Sequence, residues 1–159
     1  MLRITRGRLF SFALAMIALA LADPHGAGAS EAENVNALLD RYFAAASERD
    51  ISKVEPFWAQ DSEVVIVFPS DKQAAVGWDA VKKSYQGVFD RFSEWKLSPQ
   101  GAPSIQVRPA TAVATSRVLV QGTGKTGAAI SYTLLFSQVL VQRNGQWLIV
   151  AAHGSKIPD

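Results

Sequence analysis

The chain has 159 residues, carries 16 Lys and Arg against 14 Asp and Glu, and is 48% hydrophobic. That gives room for one domain and enough apolar residue to build a core, which excludes disorder as the default state. The excess of two positive charges points at first sight to an acidic partner.

The charge has a local origin. Arg3, Arg6 and Arg8 precede fourteen uncharged residues, Leu9 to Ala22. A membrane-spanning helix needs roughly 20 apolar residues, so this run is short for an anchor. A positive start, a short apolar segment and small residues after it are the pattern of a secretory signal. Ala20-Leu21-Ala22 and Ala27-Gly28-Ala29 both offer cleavage sites, and the second makes Ser30 the first mature residue, just ahead of a helix. The expected organisation is a signal peptide over 1–29 and one domain over 30–159, periplasmic or secreted. Removing residues 1–29 takes away three arginines and one aspartate and leaves 13 basic and 13 acidic residues. Nucleic acid and the membrane surface therefore drop out as expected partners after cleavage. Cysteine is absent, which excludes disulfides, a lipidated cysteine anchor, thiolate chemistry and cysteine-based metal sites.

Ser30-Glu31-Ala32-Glu33 reads as a capping box. Val35, Leu38, Leu39, Tyr42, Phe43 and Ala46 then recur at helical spacing and predict a helix over about 31–48. A shorter helix is predicted over Ile51 to Ala59, capped by Asp50 and weakened by Pro56. Glu63 to Phe68 is β-branched and apolar and reads as a buried strand. Gly77-Trp78-Asp79 opens a third helix to about Phe92, with Val81, Tyr85, Val88, Phe89 and Phe92 on its apolar face. From Trp95 the period becomes two, predicting strands near 94–98, 104–108, 111–121, 128–143 and 146–154. Asn144-Gly145 is a type I′ hairpin signal between the last two. Helices first and an antiparallel meander afterwards make an α+β domain.

Gly122-Thr123-Gly124-Lys125-Thr126-Gly127 matches a dinucleotide-binding pattern by letter, but that site must run from a strand into a helix, and here a β-rich segment follows. It reads as a hairpin tip. With His25 in the leader, His153 is the one imidazole of the mature chain, and one histidine without cysteine makes no ordinary zinc site. On an unbulged strand Trp147, Ile149, Ala151, His153 and Ser155 share one face. His153 is then either a satisfied core residue or a ligand-facing acid–base group. Ser155 could bond the same ligand. Asp61 is either a turn carboxylate or an orienting partner at a cavity edge. Tyr42 lies on the first helix's inner face, where a buried phenol needs a partner. Trp58, Tyr85, Phe89 and Trp95 are core residues, or an aromatic lining if the core is hollow. Arg117 is a candidate for an anionic ligand group, with strand parity leaving its side open.

The segments Arg41–Ala46, Asp50–Asp61 and Gly77–Val81, with the closing Asn144-Gly145-Gln146-Trp147-Leu148-Ile149, His153 and Ser155, resemble the SnoaL-like branch of the nuclear transport factor 2-like superfamily. That resemblance implies a cone: a curved antiparallel sheet wrapped around three N-terminal helices, enclosing an apolar pocket, with homodimers formed through the outer sheet face. Ketosteroid isomerase is a relative whose oxyanion-hole tyrosine Tyr42 matches. Its general-base aspartate has no counterpart in Ile66-Val67-Phe68-Pro69, and its second acid would fall near Ser137 or Gln138, again without a carboxylate. Isomerisation by that route needs those acids. The expectation is a cofactor-free, metal-free domain for a small apolar or aromatic molecule. As a lyase or isomerase it would use His153 as acid or base, Tyr42 as donor and Asp61 as orienting group, with Trp58, Tyr85, Phe89, Trp95, Arg117 and Ser155 around the ligand. The alternative is a non-catalytic periplasmic binding or assembly module.

Overall fold

The computed structural model describes residues 24–158, with side chains from residue 31 onward. The expected leader lies outside the described residues up to residue 23. Helix α1 runs Pro24–Ser47, so Ser30 lies inside it rather than at the helix start expected of a capping box. The residues before Ser30 simply continue the helical backbone. Glu31 instead accepts a hydrogen bond from Trp147 Nε1 at 2.7 Å, tying α1 to the last strand. All six residues of the expected apolar stripe are buried.

Asp50 caps α2 (Ile51–Val54) by accepting from Ser52 N at 2.9 Å. The helix stops far short of Ala59. Pro56, with no amide hydrogen, sits at the start of a 3-10 turn over Glu55–Phe57, after which Trp58 is extended. Strand β1 (Val65–Val67) pairs antiparallel with β2 (Ala75–Val76), which the sequence had read as loop. Helix α3 spans Trp78–Phe89 and buries Trp78, Val81, Tyr85, Val88 and Phe89.

The remaining strands follow the predicted alternation: β3 (Phe92–Pro99), β4 (Ser104–Arg108), β5 (Thr111–Gly124), β6 (Ala129–Arg143) and β7 (Gln146–Lys156). Asn144 and Gly145 take φ of 50° and 77°, both left-handed as a type I′ turn requires. Strand order is β2-β1-β7-β6-β5-β3, with β4 also on β5. The expected all-antiparallel sheet is corrected at one seam, where β1 runs parallel to β7. Such a pairing needs a long crossover, and the whole helix-and-meander stretch from α3 to β6 provides it. The result is an open, curved, mixed sheet of seven strands whose concave face is covered by α1 and α3.

That concave face is graded. Along β5 the inward positions are Ala112, Ala114, Ser116, Val118 and Val120, all buried. Alternation holds through β6, where Leu134, Phe136, Gln138 and Leu140 point inward. In β7 it breaks. Leu140 pairs with Ile149 but Val139 pairs with Ala151, so Val150 is the extra residue of a β-bulge. A bulge shifts parity by one, so Trp147 and Ile149 face inward before it and Ala152 and Gly154 after it.

Gly122 is fixed by a close approach. A Cβ there would lie 2.4 Å from the Glu94 carbonyl oxygen of β3, where the β3–β5 register shifts between Phe92 and Glu94. Backbone cannot yield as a flexible side chain would. Gly122→Ala is expected to destabilise the domain by about 2–3 kcal/mol, read as a lower urea midpoint at unchanged slope.

Candidate functional site

Between α1, α3 and the wide end of the concave sheet lies a cavity of about 230 Å³. Tyr42, Phe43 and Ala46 enter it from α1, and Tyr85, Val88 and Phe89 from α3. Trp95, Leu97, Val118, Leu134 and Phe136 form the sheet wall, and the exposed Pro69, Ser70 and Arg91 mark the mouth, with the half-buried Phe68 and Tyr132 also in the lining. Towards the opposite end of the sheet the inward positions of β5 are the small Ala112 and Ala114, and the space between α1 and the β6–β7 hairpin is a more polar, open groove lined by Glu31, Arg41, Gln142 and Gln146. The lining contains no carboxylate and no imidazole.

The polar feature inside is a pair of phenols. Tyr42 and Tyr85, on different helices, share a hydroxyl–hydroxyl hydrogen bond of 2.5 Å and are each 1% exposed. Burial pushes both well above the ordinary tyrosine range. The bond to Tyr85 works against that rise at Tyr42, whereas Tyr42 raises Tyr85 further. The Trp58 indole N–H lies close enough to oppose the rise at Tyr85, although it closes no hydrogen bond. Both phenols are therefore neutral donors rather than bases. One O–H donates within the pair, and the other proton is left for a ligand acceptor.

The structure gathers some expected site residues and disperses others. Tyr42, Tyr85, Phe89 and Trp95 line the cavity. Trp58 is buried behind Tyr85, at 6.1 Å between ring centroids, and supports the wall without reaching the space. His153 and Ser155 do not reach it: the bulge at Val150 turns both to the exposed outer face. Arg117 is exposed on that same outer face, opposite Leu135. Asp61 sits in the turn before β1, its Oδ1 accepting from Glu63 N at 2.9 Å and its Oδ2 2.8 Å from Arg143. The Glu63 amide first, and Arg143 second, hold its carboxyl below the usual range, so it stays ionised as a turn residue. His153, Tyr42 and Asp61 thus belong to three separate places.

Other residues were missed. Tyr132 was within reach, since the alternation of Ile130, Tyr132, Leu134 and Phe136 puts it on the inner face. Arg91 was not, because it sits where α3 gives way to β3 and neither periodicity governs a corner. Gln138 faces inward at 0% exposure between Ala114 and Ala152, and neither its Nε2 nor its Oε1 has a partner among the described residues.

These features define an α+β cone that holds an apolar cavity between two helices and the concave face of its sheet. Residues 35–159 match the profile of the SnoaL-like domain, and the chain belongs to that family. Among solved structures it is similar to a nuclear transport factor 2-like superfamily protein from Salmonella enterica serovar Typhimurium. That match has 21% identity, TM-score 0.76, and covers 82% of this chain and 94% of the other. It is also similar to a ketosteroid isomerase-like protein from Erwinia carotovora atroseptica, at 23% identity and TM-score 0.69 over 81% and 98% of the two chains. A third is a Streptomyces avermitilis chain whose name proposes a dehydratase of the same superfamily, at 15% identity and TM-score 0.74 over 83% and 99%. At such identities the likeness is one of fold. No curated protein matches the sequence.

The buried phenols and the buried amide each have measurable consequences. A raised folded-state pKa stabilises fully below the unfolded value, here 10.0, and the stabilisation is lost as pH rises beyond it. In an alkaline titration followed at 295 nm, Tyr42 and Tyr85 should ionise only as the protein unfolds. Tyr85→Phe should cost about 1–2 kcal/mol near neutrality by orphaning the Tyr42 hydroxyl, and the double Phe variant should recover part of it. Separately, Gln138→Met should raise the melting temperature by a few degrees, because an unpartnered buried amide costs about 1–3 kcal/mol and an apolar side chain of similar length does not.

Proposed function

We propose that this protein binds a small, largely apolar or aromatic molecule carrying a hydrogen-bond acceptor such as a carbonyl. The observation that carries the reading is the Tyr42–Tyr85 hydroxyl pair set into an otherwise apolar cavity. A dry cavity of about 150 Å³ holds benzene. At about 230 Å³ and open at its mouth, this one has room for a fused two-ring core whose further ring or chain reaches towards the mouth. A few polar groups converging in an apolar pocket are the ordinary design of a small-molecule site.

Binding is favoured over proton transfer through His153. That histidine lies on the far side of the sheet, and the lining offers no carboxylate to take its place. The phenol pair favours one catalytic reading, in which neutral donors polarise a bound carbonyl and stabilise charge developing on its oxygen. A lyase or isomerase working so would take its proton acceptor from the substrate. The leader pattern over 1–29 supports export. Val113 and Leu135, each 45% exposed on the outer sheet face near His153, support a homodimer through that face.

Binding can be read with two fluorophores, N-phenyl-1-naphthylamine, which has no carbonyl, and 6-propionyl-2-dimethylaminonaphthalene, which has one. Both are expected to brighten with the protein. Ala46→Phe, which puts a ring into the cavity, should abolish both signals with the circular dichroism spectrum retained, and His153→Ala should change neither. Tyr42→Phe should weaken only the carbonyl probe, roughly three- to tenfold. Binding that survives Ala46→Phe, or is lost with His153→Ala, would sink the proposal.

A further inference from the structure

We infer that the ligand is an anion, an apolar molecule with a carboxylate or sulfonate at one end, seated with that end on Arg91 at the cavity mouth. This rests on the binding role of the cavity and adds the charge and orientation of what it takes.

Arg91 is the one charged residue in the lining. It is held rather than dangling. Its amide donates to Val88 O at 3.1 Å and its carbonyl accepts from Lys125 N at 3.0 Å, fixing its backbone between the end of α3 and the β5–β6 turn. Its Nη1 donates to Ser70 Oγ at 3.1 Å across the mouth. A guanidinium has five donors in a planar fork, so this bond leaves most of them for an oxyanion.

The neighbouring acids are engaged elsewhere. Asp90 accepts from Gln86 Nε2 at 3.0 Å, and Asp71 accepts from Phe68 N at 2.9 Å and Ser84 Oγ at 3.4 Å. Glu94 accepts from Thr123 Oγ1 at 3.1 Å. Among the described residues Arg91 forms no ion pair. Beside it Tyr132 lines the cavity, and Lys156 Nζ lies 5.6 Å from the Tyr132 ring centroid. The mouth therefore presents the Arg91 cation beside a phenol, with Lys156 over the Tyr132 ring but outside the lining, whereas the interior presents apolar walls and a neutral hydroxyl pair.

That gradient sets the direction of entry. An anion driven to the Tyr42–Tyr85 pair would lose its water with no cation to meet it, which is expensive. At the mouth the same charge keeps part of its hydration and gains Arg91. Because Arg91 is exposed, the gain is modest, and its expected size is roughly three- to tenfold in affinity.

The test uses two probes that differ by one sulfonate: 8-anilinonaphthalene-1-sulfonate and N-phenyl-1-naphthylamine. Wild-type protein is expected to bind the sulfonate probe more tightly, with the difference shrinking as salt is added. Arg91→Gln should lower affinity for the sulfonate probe three- to tenfold more than for the neutral one. Equal losses for the two probes would mean that Arg91 only shapes the mouth, and no loss for either would mean that the anion sits elsewhere. Either result overturns the inference, as does sulfonate binding that persists in Ala46→Phe. If the neutral probe alone binds wild-type protein, the cavity reading stands and the anionic ligand falls. If neither binds, the cavity reading fails first.

Discussion

Two phenols 43 positions apart, Tyr42 and Tyr85, are buried together, one donating its hydroxyl proton to the other. A single tyrosine in this interior would leave a hydroxyl without a partner, at a cost of about 1–3 kcal/mol. The pair joins α1 to α3, the two helices that cover the concave sheet, and it does so at the cavity wall. The same bond thus closes the cover and equips the space beneath it. The surrounding rings support it: Phe136 stacks against Tyr42 at 6.4 Å between centroids, and Trp58, Phe68 and Phe89 pack around Tyr85.

The sheet decides where that space can be. Small side chains at Ala112, Ala114 and Ser116 let α1 settle closely at one end. Val118, Leu134, Phe136 and Tyr132 meet Trp95 and Phe89 at the other, where the curved sheet and the helices diverge. The mouth then falls where α3 turns into β3, and that corner carries Arg91. A neutral donor pair inside and a cation outside give the cavity a polar axis.

The bulge in β7 separates the two faces of the molecule chemically. With Val150 inserted, Ala152 and Gly154 take the inward positions, and Gly154 lies against Phe136 and Pro69, where a larger side chain would intrude. His153 and Ser155 pass to the outside. The histidine becomes part of a surface with Val113 and Leu135, and the cavity is left without a group that titrates near neutrality.

The sequence by itself determined the elements whose causes are local. Helical spacing placed the buried stripe of α1, Asp50 capped α2, strict alternation marked β4 through β6, and Asn144-Gly145 formed the turn its backbone preferences demand. It also carried the family resemblance and with it the cone. Only the tertiary structure decided which side chains meet. One residue inserted opposite β6 reversed the parity on which His153 and Ser155 had been placed, and nothing local in Ile149-Val150-Ala151 marks that insertion. The partner of Tyr42 lay on another helix, β1 joined β7 in parallel across most of the chain, and Arg91 reached the mouth through a corner. Periodicity constrains a residue against its own element, whereas a site is a relation between elements, fixed by register and packing.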